Sequence, residues 1–216
     1  MVEADEIVCT VEEPNNGAGM FWCRGCSQIL RVAQGVFATT YEVDPRAPLY
    51  SNTRWVLWHR GENGWAVMHR GAEVDEREPA CLLALPGGRV LLSLNAASKP
   101  IHRLAPTNPH LLEFRADEPQ RPPRRILPRW PDNPPPRLVD HSYRGMAADG
   151  ERGEVLLVHQ DVCLGVNQNW PLCWAFMNAH GEWPRQGRVQ FPVRGAYPNV
   201  ALRNGEFPFW NPYVFC

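Results

Sequence analysis

Short apolar runs separated by glycine turns recur along this chain. In the clearest case the runs CLLAL and VLLSL flank Pro86-Gly87-Gly88. Two short apolar runs on either side of a glycine turn are typical of a β-hairpin. The pattern therefore predicts a fold of strands and tight turns, with no helix in the repeating unit.

The same hairpin pattern occurs four times, and each copy begins with an arginine and reaches a glycine turn. The arginines are Arg24, Arg77, Arg144 and Arg194, and the turn glycines are Gly35, Gly88, Gly153 and Gly205. The offset is 11 residues in three copies (24 to 35, 77 to 88, 194 to 205) and 9 in the other (144 to 153). Repeats of this length, made of strands alone, are typical of propeller blades.

Further strands follow the inner hairpins and complete the predicted blades. A second hairpin is predicted at 54–69 and another at 172–191, whereas the second repeat has one strand at 110–114 and then a proline-rich stretch at 119–136. Proline removes ladder donors, so this stretch is expected at a sheet edge or on the surface. Apolar and polar residues alternate at 6–12, which predicts a lone strand that completes the last blade and closes the ring.

The sequence thus predicts an all-β chain, a β-propeller of four-stranded antiparallel blades in a single domain at 1–216. About four blades are present, which fits an incomplete six-bladed ring, and the fourth repeat loses its pattern soon after Arg194.

Charge and composition narrow the classes of partner. The net charge is -1 and no long basic run exists, so nucleic acid is not an expected partner. No run reaches the roughly 18 apolar residues of a membrane span. Residues 1–6 are acidic and lack the layout of a secretory signal. The seven histidines and seven cysteines lack metal-ligand spacing, so neither a metal nor a cofactor is expected.

The four arginines are the main candidate for a binding site. In a propeller the innermost strand of each blade begins near the central channel, so arginines in equal register would point into one space. A guanidinium group binds a carboxylate or sulfate through two parallel hydrogen bonds, which predicts a pocket for an acidic ligand. The alternative is that the arginines cap the blade edges and pair with Glu78, Asp140 or Glu182.

These features resemble the sialidase-like (BNR/Asp-box) β-propellers over roughly residues 18–206. Arg77-Glu78-Pro79 matches the family's Arg-x-Pro motif, and Arg24 and Arg194 lie at equivalent starts. The family's turn motif, Ser-x-Asp-x-Gly-x-x-Trp, is echoed at 63–65 and 178–183 without its serine and aspartate. The resemblance implies an acidic glycan held by the channel-facing arginines, exo-type hydrolysis, and a secreted or periplasmic protein.

The resemblance also implies a tyrosine/glutamate nucleophile pair and an aspartate general acid. Tyr197 and Glu78 lie close to predicted channel arginines, and Asp44 and Asp140 lie in loops that flank inner strands, where a general acid could reach the substrate. Two other functions stay open at this stage. The chain could be a non-catalytic binding scaffold, or His141 and Tyr143, which precede Arg144, could serve a polysaccharide lyase that acts on uronic acids by β-elimination.

Overall fold

The fold was analysed in a computed structural model, which describes residues 5–20, 22, 27–99, 101, 103–162, 170–190, 199–200, 202–206 and 209–210. The described chain forms three four-stranded antiparallel sheets and a short strand pair. Sheet I comprises β1 (Ile29–Val32), β2 (Gly35–Val43), β3 (Thr53–Gly61) and β4 (Gly64–Arg70). Sheet II comprises β5 (Cys81–Leu85), β6 (Arg89–Leu94), β7 (His110–Arg115) and β8 (Arg124–Ile126). Sheet III comprises β9 (Arg144–Asp149), β10 (Glu154–Gln160), β11 (Leu172–Met177) and β12 (Arg185–Val189). The strand pair is β13 (Asn199–Val200) with β14 (Phe209–Trp210), and one 3-10 turn covers Leu49–Ser51.

The predicted all-β class is confirmed, and so are the hairpins of the first three repeats as far as the structure describes them. Within each sheet the strands follow one another in chain order, so every connection joins neighbours. The β5–β6 turn depends on Gly87 and Gly88, whose φ angles of 75° and 70° are readily adopted by glycine alone. The glycines that separate the apolar runs of the sequence therefore lie at the turns of the structure.

Sheet II lies between the other two sheets because alternate residues of its strands are apolar on both faces. From β5 and β6, Leu82, Val90 and Leu92 pack in one cluster with Phe37 and Leu57 of sheet I. The alternate residues pack in a second cluster with sheet III, and these are Cys81, Leu85 and Leu91 against Val155 and Leu157. The first strands also lie side by side, since β5 contacts both β1 and β9.

The prediction of a strand at residues 6–12 is wrong. Residues 6–12 form no strand and instead run across the outer face of sheet I. Their apolar side chains, with Ile29 and Ala38, line a cavity of about 700 Å³. The burial does not follow the alternation, because Ile7 is 84% exposed and the intervening Val8 lines the same cavity as Cys9 and Val11.

The proline-rich stretch occupies the predicted kind of position. β8 is a three-residue edge strand, and residues 127–138 continue past the end of the sheets at which β5, β7, β9 and β11 begin. This end is called the entry end below. Among the described residues, no helix has the length and apolar character needed to span a membrane.

Candidate functional site

Two of the four predicted arginines meet at the entry end. Arg144 is the first residue of β9, whereas Arg77 lies four positions before β5, so the predicted equal register is wrong for this pair. The two side chains nevertheless reach the same residue, Glu78, and both are buried, with 2% exposure for Arg144 and 6% for Arg77. Arg24, Arg194 and Tyr197 lie outside the described residues.

Arg144 joins sheet III to the loop that precedes β5. Its Nη1 lies 3.2 Å from a carboxylate oxygen of Glu76, and its Nη2 donates to the carbonyls of Glu78 (3.1 Å) and Pro79 (2.9 Å). A buried cation requires such partners because it is otherwise very costly to remove from water. These contacts bind the guanidinium group to the protein itself, so they favour a structural role for Arg144.

Arg77 has a different environment. Its Nη1 donates to Glu78 over 3.0 Å, and its Nε donates to the carbonyl of Asn16 over 3.3 Å. The guanidinium carbon lies 5.5 Å from the ring centre of Tyr50 and 5.9 Å from that of Tyr143, within the range of cation–π attraction. No described residue accepts a hydrogen bond from Nη2 of Arg77. Nη2 is therefore the part of the Arg77 guanidinium group that is suited to an external anion.

A histidine–aspartate pair lies next to Arg77. Nδ1 of His141 makes a short hydrogen bond with Asp140, and the other carboxylate oxygen of Asp140 accepts from the amide of Ala105 over 2.9 Å. The carboxylate is 2% exposed and the histidine side chain 18% exposed. Because Nδ1 faces a carboxylate, Nε2 is left as the proton acceptor, as in other histidine–carboxylate pairs.

Tyr50 completes this cluster. Its ring meets that of His141 edge to face, with centroids 4.6 Å apart, and it also contacts Arg77. Tyr50 belongs to the 3-10 turn between β2 and β3, so sheet I contributes to the same cluster as the loops before β5 and β9. The entry-end cluster below means Tyr50, Arg77, Asp140, His141 and Tyr143.

Asp44 lies apart from the entry-end cluster. Its carboxylate pairs with Arg46 over 2.9 Å, and its amide donates to the carbonyl of Asn52. Hydrogen bonds from the side chain and backbone of Arg46 lower the pKa of Asp44 to about 2. A carboxyl group of that pKa is ionised at neutral pH, so it is poorly suited to donate a proton. Glu78, by contrast, lies inside the site as the partner of Arg77.

Burial is the main cause of two pKa shifts behind the cluster. It raises the pKa of Glu76 to about 8, with a further rise from the charge of Asp75 and an opposing effect of Arg144. Burial also lowers the pKa of His159 to about 3, and the nearby charge of Arg144 acts in the same direction. Both residues are thus held mainly in their uncharged forms around pH 7.

These pKa shifts predict how stability depends on pH. Between pH 6.5 and 8 folded Glu76 keeps a proton that the unfolded chain, with a pKa near 4.5, has released. Stability should therefore fall as the pH rises, by roughly 2 kcal/mol over this window. His159 acts in the opposite sense, but only between its folded pKa of about 3 and its unfolded value of 6.5. Denaturant titrations at several pH values measure the slope, and Glu76→Gln should flatten it. An unchanged slope in this variant would contradict the assignment.

Sequence reasoning missed Tyr50, Glu76 and Asn16. Glu76 could have been found, because Asp75 and Glu76 precede Arg77 directly and a run of acids beside a buried arginine suggests pairing. Tyr50 and Asn16 carry no such signal, since each meets Arg77 only through a long-range contact.

The described residues hold no group of three or more histidine, cysteine, aspartate or glutamate side chains arranged to bind a metal ion. No protein-family model matches the chain, and no curated protein matches it significantly.

Proposed function

We propose that the three sheets are blades of a sialidase-like β-propeller, with the entry end at the mouth of its channel. The side-by-side arrangement of β1, β5 and β9 supports this, since the innermost strands of successive blades are neighbours in a propeller. The chain-order, four-stranded meander of each sheet is also the usual blade design.

We propose that the protein binds an acidic glycan through Arg77 and cleaves it at uronic acid units by β-elimination. The observation that carries this proposal is the Asp140–His141 pair next to an arginine that lies against two tyrosine rings. An oriented base, a carboxylate-binding cation and a phenolic proton donor are the groups that proton abstraction next to a carboxylate requires.

The reaction follows from these roles. The uronate carboxylate accepts hydrogen bonds from Arg77, which stabilises the negative charge that develops when the neighbouring carbon loses its proton. Nε2 of His141 takes that proton from C5. A double bond forms between C4 and C5 as the C4–O bond breaks, and the leaving oxygen takes a proton from the hydroxyl of Tyr143. Asp140 stabilises the imidazolium and keeps the ring oriented.

We favour elimination over the exo-type hydrolysis that the family resemblance implies. Hydrolysis requires a protonated acid near the scissile bond, and the pKa of Asp44, about 2, leaves that group ionised. The other predicted acid, Asp140, already accepts a hydrogen bond from the amide of Ala105 and is paired with His141. The predicted pair of Tyr197 and Glu78 stays a prediction, because Tyr197 lies outside the described residues.

A product assay tests the proposal. The protein is incubated with polygalacturonate, alginate and hyaluronan, and the ultraviolet absorbance of the unsaturated product is followed. We expect absorbance to rise with at least one polymer and to stay flat with its carboxyl-reduced form, which is the matched control. Release of dye from a fluorogenic sialoside would support hydrolysis instead, and binding without any product would support the non-catalytic scaffold.

A further inference from the structure

A groove lies at the entry end, near the entry-end cluster. It has a volume of about 750 Å³ and runs between residues 106–109 and the proline-rich segment 125–138. This volume is within the range of sites for small ligands. Its walls are mainly apolar, with Leu127, Trp130 and several prolines, and charged side chains stand among them. The cluster's chemistry as derived above does not use this groove.

Trp130 gives the groove a fixed aromatic wall. The indole packs against the core between sheets II and III, and its ring meets His159 edge to face at 5.1 Å. The rest of its partly exposed surface lines the groove. An aromatic ring held in this way offers an apolar face to a sugar ring, which is itself apolar on its C–H faces.

The polar groups of the groove favour an anionic and hydroxylated ligand. Two exposed arginines, Arg125 and Arg137, line the groove. Its lining holds one carboxylate, that of Asp132, so positive charge is in excess. The backbone of Arg137 is fixed, because its amide donates to Asp161 over 2.8 Å. Thr107 also lines the groove, and within the described chain its buried hydroxyl has no hydrogen-bond partner. A ligand hydroxyl would supply one.

One wall of the groove is close in the chain to the entry-end cluster. Leu138 forms part of that wall, and the chain then runs through Val139 to Asp140 and His141. Three peptide units span at most about 11 Å, so the Cα atoms of Leu138 and His141 are no farther apart than that. The carbonyl of Val139 accepts a hydrogen bond of 2.9 Å from the side chain of Asn95, whose backbone amide donates to Glu76.

We infer that this groove binds the sugar units that flank the uronate held at Arg77. The site would then take an internal stretch of an acidic polysaccharide rather than a free sugar acid. The inference rests on the proposed function. It adds the length of the ligand and the residues that contact its flanking sugar units.

Binding measurements test the inference with the polymer that the product assay selects and with its monomeric sugar acid. Polymer binding is followed by affinity electrophoresis, and monomer binding by saturation-transfer NMR. The double variant Arg125→Gln/Arg137→Gln should weaken polymer binding roughly tenfold while monomer binding stays unchanged. The matched control is Arg103→Gln/Arg121→Gln, which removes the same charge from exposed sites outside the groove.

Trp130→Ala should have a similar effect and Trp130→Phe a smaller one. Because Trp130 also packs on the core, the double arginine variant decides the matter if Trp130→Ala fails to fold. The groove assignment is overturned if that variant binds polymer as the control does, or if the control loses as much affinity. The proposed function fails separately, when the wild-type protein neither binds nor cleaves any uronate polymer.

Discussion

Replacing Arg144 with methionine should lower the free energy of unfolding by about 4 kcal/mol, because several buried acceptors lose their donor at once. These acceptors are the carboxyl group of Glu76 and the carbonyls of Glu78 and Pro79, in a site where the arginine side chain is 1% exposed. Methionine has a similar length and no polar atoms, so most of the loss comes from the unpaired partners. Guanidinium chloride titration followed by tryptophan fluorescence measures the change.

The control for Arg144 is Arg46→Met, which removes an ion pair from the surface. Arg46 pairs with Asp44 at a similar distance, 2.9 Å, but its side chain is 89% exposed. Surface pairs contribute about 0–1 kcal/mol, so this variant should unfold almost as the parent does. Equal losses in the two variants would show that Arg144 does not act through its buried partners.

Replacing His141 with alanine should lower kcat/KM on the active polymer about 10²- to 10⁴-fold, because the substitution removes the base. Binding should change far less, since Arg77 and the groove hold the substrate. Asp140→Asn should produce a smaller loss by changing the hydrogen bond that orients the ring. Initial rates of ultraviolet absorbance, with thermal unfolding measured in parallel, separate lost chemistry from lost folding.

The matched control for His141 is His180→Ala, on an exposed turn of sheet III. This substitution should leave the rate unchanged. If His141→Ala retained the parent rate, the base would have to be another group and the elimination scheme would be wrong.

The strands could be predicted because their determinants are local. The turn at Gly87-Gly88 requires positive φ angles, and the apolar runs beside it set the two strands. The weak turn motif at 178–183 is also a real turn. There the side-chain oxygen of Asn178 accepts from the amides of His180 and Glu182, both over 3.0 Å. Asn178 thus closes this turn through its own side chain.

The entry-end cluster could be predicted only in part. Arg77 was found because it opens the second repeat, and His141 and Tyr143 because they precede the arginine that opens the third. The equal register of Arg77 and Arg144 was wrong. Counting from the turn glycine misses the extra loop residues between Arg77 and β5. The contact of Tyr50 with His141 joins positions in different sheets, and nothing in a single sequence reports such a pair.

The middle position of sheet II has a consequence for how stability is distributed. In an array of repeats each repeat is stabilised by its nearest neighbours. Sheet II shares an apolar cluster with a four-stranded sheet on each face, and sheet III packs on sheet II on one face and on Leu202 on the other, with β13 beside β9. Among the three described sheets, sheet I should therefore open first. The loop that carries Arg77 leads into sheet II, so opening of sheet I would leave Arg77 on a part of the molecule that is still held from both sides.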